Sequence, residues 1–237
     1  MSQVNVTVGD AAIPAAEQAA PTSPGAAARF VRADHIEADY SPWRHMARTL
    51  AIAAVLSAGG VALAVRARAF DWLLLPVFLV IANLIEWTVH KYPMHHPLPP
   101  RFMYRNHTLL HHVAFTDRNM PIGPPAELGL IMMPWYTMLG LFVVASPVMI
   151  VAGFVRGPGL SGVFLLGAVG YFLCYELLHA LYHLPDATLN RAGIGRSRLF
   201  RWLQAHHRHH HILSRMAHVN FNVTFPLMDR LLGTFER

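Results

Sequence analysis

The chain has little charge, one cysteine and one lysine. Charged residues make up 14% of the 237, against about 25% in an ordinary soluble domain. With 54% hydrophobic residues, that shortage argues against intrinsic disorder and against a surface that faces water all round. Cys174 stands alone, which excludes an intramolecular disulfide and a cysteine-based zinc or iron–sulfur site. It also removes any support for an oxidising compartment. No GxGxxG, Walker A, GxSxG or HExxH pattern occurs, and no internal repeat of 20–50 residues is visible. What is abundant is histidine: 16 residues against 13 acids. The net charge of +6, with His neutral, suits a basic membrane face better than a nucleic-acid surface at this apolar content. Clustered imidazolium groups would repel one another. Clusters of histidine therefore read as neutral ligands around a cation.

Residues 1–28 are Ala/Pro-rich and read as a disordered tail. They lack a basic segment leading into an apolar one, so no secretory signal peptide is expected. Residues 29–82 read as an interfacial lead-in, with Arg29, Arg32, Arg44, Arg48 and Trp43, followed by the first membrane segments. His35 and His45 fall there and read as incidental. Four apolar stretches follow: 50–65, 70–89, 128–154 and 160–178. A spanning helix needs about 20 apolar residues. The first is short and carries Gly59 and Gly60, which suit close packing. The second is broken only by Asp71 and Glu86. The third contains Pro134 and Pro147 and is long enough to kink or to split in two. The expected fold is all-α and integral to the membrane, with about four transmembrane helices and a cytoplasmic helical cap. Charge sets the orientation. The side with the tail, the 90–127 loop and the C-terminal segment carries 16 of the 19 Lys and Arg, and the other only Arg66, Arg68 and Arg156. That side is expected in the cytoplasm.

Histidines gather in four groups. The first is His90, His95 and His96, at the end of the second stretch. Five residues on a continuous α-helix put His95 about 140° from the face of His90. Pro93 is expected to end the helix near Tyr92, so that His95 folds back beside His90. The second is His107, His111 and His112. The i, i+4 spacing puts His107 and His111 on one helical face, with His112 about 100° around and able to reach a second ion. The third is His179 and His183, again i, i+4, with Pro185 ending the helix. The fourth runs from His206 to His211 and fits HxxHH in two registers, His206/His209/His210 or His207/His210/His211. A lone pair of this kind is ordinary on a helix surface. Alternating spans, however, deliver all four groups to one membrane face.

Ten or more convergent imidazoles exceed the needs of one ion, so two ions are the natural count. Imidazole suits zinc, copper, iron and nickel alike. Glu86 lies four before His90, and Glu176 three before His179, each near a span end where an unpaired carboxylate is costly. Each is expected to orient a ligand by accepting its free ring N–H, although Glu176 and His179 also match the Glu-x-x-His spacing of soluble di-iron bundles. Cys174 reads as a small hydrophobe within its span, and His96 and His218 have no assigned role.

The HxxxxH of 90–95, the histidines of 107–112, the HxxxH of 179–183 and the HxxHH of 207–211 resemble the histidine boxes of the fatty acid hydroxylase/sterol desaturase superfamily. The ending from Asn222 through Pro226-Leu-Met-Asp229 to Gly233-Thr234 is similar to that superfamily's Pro-Leu-x-Asp…Gly-Thr close. The resemblance covers about 83–235. It implies a membrane-bound non-haem di-iron enzyme that uses O₂ and external reductant to hydroxylate, or alternatively desaturate, a fatty-acyl or sterol-like lipid. By position it implies the ligands His90, His95, His107, His111, His112, His179, His183, His207, His210 and His211, which selects the second register of the last group. Two positions depart from the pattern. Thr108 stands where the commoner second box has histidine, with His107 one residue back, and Met228 stands where an aromatic is frequent before the Asp. No cytochrome b5-like domain is apparent, so a separate electron-donor protein is expected. A membrane metal transporter or metal store is the rival from another class, but transport wants ligands along a mid-bilayer pathway rather than at span ends.

Overall fold

The computed structural model describes residues 30–237; the expected disordered tail, 1–28, lies outside the described residues. Helices and turns make up the described residues, with no strand among them. Four helices are long and apolar enough to cross a membrane: α1 (Pro42–Ala64); α2 (Leu75–Val89), part of an apolar span Ala69–Met94; α3 (Thr137–Arg156); and α4 (Pro158–Tyr182). A polar helix, α5 (Arg198–His210), and short helical turns cover one end.

The first span is longer than its apolar core suggested. Ser41 accepts a hydrogen bond from Arg44 N (3.3 Å), and Pro42 sits at the first helical position, so the helix starts eight residues before Leu50. The third apolar stretch splits. Residues Pro125–Leu130 form a 3₁₀ turn, Pro134 lies in the bend that follows, and α3 starts at Thr137 with only Pro147 inside it. Gly157, at φ 90°, turns α3 directly into α4, a conformation that favours glycine.

The hydrophobic windows of α1, α2 and α3 are 17%, 22% and 17% buried, and that of α4 is 50%. The fourth helix is therefore the centre of the bundle. Small residues make this possible. A Cβ added to Gly162 would lie 2.4 Å from Ala64 N, and one added to Gly159 would lie 2.5 Å from Ala67 Cα. Gly60 faces Leu166 at the same contact, whereas Gly59 meets open space. The outer faces stay apolar: Val55, Val143, Phe154 and Cys174 are exposed, as lipid-facing residues are. At the bundle end away from the histidines, Asp71 is buried, and it pairs with Arg156 (3.3 Å) and accepts from Arg68 N (2.7 Å).

Near the other end the helical winding changes twice. The chain continues from α2 into a π-helical turn, His90–Met94, that passes through Pro93. The helix thus runs two residues beyond Tyr92. Proline has no N–H to give up, so a widened turn there loses no bond from that residue. A second π-helical stretch spans Arg105–His111, closed by His112 N–H on His107 O.

Candidate metal centre

The ten histidines named from the sequence come together as two buried groups of five. One holds His90, His95, His107, His112 and His210; the other holds His111, His179, His183, His207 and His211. Within each group one ring nitrogen per residue lies within 4.8 Å of all the others.

Helical winding sorts the residues between the groups. In a π turn the i→i+5 hydrogen bond brings residues five apart together. The His90 and His95 rings are stacked at 5.2 Å, and the His107 and His112 rings lie at 4.7 Å. Both pairs belong to the first group. Ordinary α turns serve the second, through His179 with His183 (5.3 Å) and His207 with His211 (4.6 Å). The expected partnership of His107 and His111 is corrected accordingly. Those two divide between the groups, and it is His112 that joins His107. Adjacent residues also divide at His210 and His211, so the box from 207 to 211 spans both groups.

Nitrogen-to-nitrogen distances fit metal binding. Two imidazoles each about 2.1 Å from one cation, at right angles, put their nitrogens about 3.0 Å apart. Here His90 Nε2 and His107 Nε2 are 2.8 Å apart, His95 and His210 3.1 Å, His107 and His112 3.1 Å, His111 and His179 3.3 Å, and His207 and His211 3.1 Å. His183 Nε2 is buried and has no hydrogen-bond partner, as a nitrogen reserved for a cation would be. Burial first, then the neighbouring imidazoles, hold His95, His107, His112, His183, His207, His210 and His211 far below the ordinary histidine pKa. Burial also brings His111 down to about 4. All eight are therefore neutral at pH 7, the form that binds metal.

Five of the ten rings are held at Nδ1 by backbone carbonyls rather than by carboxylates, whereas Nδ1 of His112, His179 and His207 is buried without a partner. Nδ1 of His90 donates to Phe221 O, and Nδ1 of His210 to Val219 O (2.8 Å). In the second group, His111 bonds Leu130 O (2.9 Å), His183 bonds Met120 O (2.9 Å), and His211 bonds Phe115 O. His95 alone uses a side chain: its Nδ1 meets Thr108 Oγ1 at 3.0 Å, and that hydroxyl donates to Met94 O at 2.7 Å. Thr108 had no assigned part.

The expectation for the two glutamates is corrected. Glu86 contacts no imidazole through a hydrogen bond. It accepts from Val223 N and from Thr224 N (3.1 Å), Thr224 Oγ1 (2.6 Å) and Tyr171 OH, and so pins the C-terminal segment against α2. Glu176 accepts from Met133 N (3.3 Å), and its other oxygen is buried without a partner. The Pro-Leu-Met-Asp ending completes the clasp. Buried Asp229 accepts from Phe221 N (2.9 Å), Asn222 N (2.8 Å) and Thr234 Oγ1 (2.8 Å), and Asn222 Nδ2 reaches Asn83 O (3.0 Å). These bonds fix the Phe221 peptide whose carbonyl orients His90. The pattern was visible in the sequence; its work on His90 was not.

The remaining histidines lie outside both groups. His206 turns to Asp229 (3.3 Å), His209 faces Glu236 (3.6 Å), and His96 bonds Lys91 O (2.9 Å). His35 and His218 are exposed. His45, expected to be incidental, ties α1 to the loop before α3 through Met133 O (2.9 Å). An apolar cavity of about 90 Å³ runs between α2, α3 and α4 from Phe78 and Phe164 to His90. A second, more polar cavity of about 470 Å³ reaches His107, His111 and His179 from the end of the bundle. The two share Met94, Met133 and Tyr175 as lining.

A family model described as fatty acid hydroxylase matches residues 75–234. The chain belongs to the fatty acid hydroxylase family. Among solved structures, the fatty acid hydroxylase fold seen here is similar to that of full-length scs7p, of which only the hydroxylase domain is visible. The TM-score is 0.54 at 20% sequence identity, over 80% of this chain and 66% of that one. No curated protein matches the chain. The family match begins at the first residue of α2, so α1 and the lead-in before it lie outside the match.

Proposed function

We propose that this protein is a membrane-bound lipid hydroxylase with two iron ions, one in each histidine group. The observation that carries this reading is the pair of five-imidazole groups, buried and interleaved at adjacent residues, with an apolar cavity that reaches the first group at His90. When bound, the iron pair supplies the redox chemistry of the overall reaction: R–H, O₂, two electrons and two protons give R–OH and water. The chain's own residues do the rest. Nε2 atoms face inward, while the carbonyls of Phe221, Val219, Leu130, Met120 and Phe115 fix the rings. That keeps the donors in place before any ion arrives, which strengthens binding. Phe78, Ile81, Ile85, Phe142 and Phe164 offer an acyl or sterol-like chain a dry path toward His90 and exclude water from the reacting carbon. Substrate enters laterally from the bilayer. Electrons come from a separate donor protein, and the charge asymmetry of the sequence supports a cytoplasmic position for the histidine end.

Desaturation of the same carbon chain is the nearest alternative, and product analysis separates the two: an added hydroxyl or two lost hydrogens. A metal transporter fits less well, because both histidine groups sit at one end of the bundle instead of along it. Lipid profiling of cells with and without the protein, joined to iron analysis of the purified chain, tests the proposal. A hydroxylated lipid that vanishes in the His210→Ala variant supports it. An unchanged lipid profile, or a His210→Ala chain that still holds two ions with full affinity, contradicts it.

A further inference from the structure

Arg32 lies in a 3₁₀ turn ahead of α1, outside the segment matched by the family model. Its side chain is 13% exposed, and its guanidinium reaches across the chain to one loop. Nε donates to Ala114 O (2.8 Å), one terminal nitrogen to Pro121 O (2.9 Å) and Glu127 Oε2 (2.7 Å), and the other to Asn119 O (2.5 Å). The guanidinium carbon also sits 4.1 Å from the centre of the Phe115 ring. Glu127 in turn accepts from Gly123 N (3.0 Å), which ties the far side of the loop to the same ion pair.

The carbonyls that Arg32 holds are informative. Ala114 and Asn119 immediately precede Phe115 and Met120, whose own carbonyls orient His211 and His183. Leu130 O, which orients His111, closes the same stretch of chain. Two of the five imidazoles in the second group, His183 and His211, are thus fixed from within the segment that Arg32 clamps, and His111 from Leu130 just beyond it. The first group takes its fixed acceptors elsewhere, from Phe221, Val219 and Thr108. Arginine is suited to this work because its planar fork carries five donors that can serve several carbonyls at once, whereas lysine is a point charge.

We infer that Arg32 is a positioning residue for the second histidine group alone, holding the 114–127 loop so that His183 and His211 present their free nitrogens to one metal ion. The inference rests on the two-ion reading above. It makes an N-terminal segment outside the family match part of the metal centre.

The test is iron stoichiometry in the full-length, detergent-solubilised chain, read by elemental analysis and by Mössbauer spectroscopy of iron-57-loaded protein, with monodisperse elution and helical content as folding controls. Arg32→Gln is expected to fall from two ions to one, with one of two spectral components lost. Arg32→Lys is expected to behave like Arg32→Gln, because the charge remains and the fork does not. Glu127→Gln keeps the carbonyl bonds of Arg32 and is the gentler probe. It is expected to bind two ions but to release one of them to a chelator about tenfold faster, in the range for outer-sphere partners. Should the Arg32 variants fail to fold, Glu127→Gln decides the matter. Wild-type protein with two ions, beside folded variants that keep both or weaken both equally, overturns the role of Arg32 alone. Wild-type protein with fewer than two ions overturns the two-ion reading, and the Arg32 inference with it.

Discussion

Thr108 holds His95. Its hydroxyl oxygen lies 3.0 Å from His95 Nδ1 and gives its hydrogen to Met94 O at 2.7 Å, so the oxygen is left to accept from the ring and Nε2 is left free to face His210. A residue that departs from the common histidine-box pattern thereby supports the first histidine group, one position along from His107, which belongs to that group. Thr108→Val removes the acceptor and keeps the shape. It should weaken binding of one ion about 10- to 100-fold, measured by competition with a chelator, while Thr108→Ser restores it. Equal affinity in the valine variant would show that His95 needs no such support.

Asp229 should be a stability determinant. Its carboxylate accepts four hydrogen bonds at a buried site, counting that from His206. Asp229→Asn leaves buried donors without partners and should cost about 3 kcal/mol, read by thermal unfolding in detergent. Burial alone would raise this carboxyl's pKa, but the bonds from His206, Asn222 N, Thr234 and Phe221 N outweigh it and hold the value below the ordinary aspartate range. A depressed folded-state pKa stabilises above the unfolded value and is lost as pH falls through the folded one. The gap between wild type and Asp229→Asn should therefore be full at pH 6 and shrink as pH falls below about 4. A gap that widens with acid would contradict this.

The contact between α1 and α4 should reject any side chain at Gly162. A Cβ there would stand 2.4 Å from Ala64 N and 2.6 Å from Gly60 O. Gly162→Val should lower stability by about 1–3 kcal/mol or more. Gly170→Ala, in the same helix with nothing within 4 Å of the added carbon, should be neutral or slightly stabilising. Similar melting temperatures for the two variants would show that the close approach carries no weight.

Within the fourth histidine box, neighbours should differ sharply. His209 faces Glu236 outside both groups, and His210 lies buried in the first. His209→Ala should leave iron content unchanged, and His210→Ala should lower the affinity for one ion.

Much of this was legible in the sequence, and the limits have physical causes. Long apolar stretches announce spans because a bilayer accepts little else, but helix ends depend on caps. Ser41 and Pro42 extend α1 well before its apolar core begins. The ten histidines were legible through type and clustering. Their division was not, because the i, i+4 rule presumes α winding, and the π turns at His90–Met94 and Arg105–His111 pair residues five apart instead. Glu86 and Glu176 were misread for a related reason. Five of the rings take their acceptors from backbone carbonyls, and a carbonyl leaves no mark in the side-chain pattern. Arg32 looked like one more interfacial cation, since nothing local hints at a loop some 80–95 residues away.

The central claim is that each histidine group holds its own iron ion. An iron-edge anomalous difference map from crystals of the iron-loaded protein tests it most directly. Two peaks are predicted per chain, one about 2 Å from ring nitrogens of His90, His95, His107, His112 and His210, the other equally close to those of His111, His179, His183, His207 and His211. A single peak shared between the groups, or a fully folded chain with none, would contradict the account.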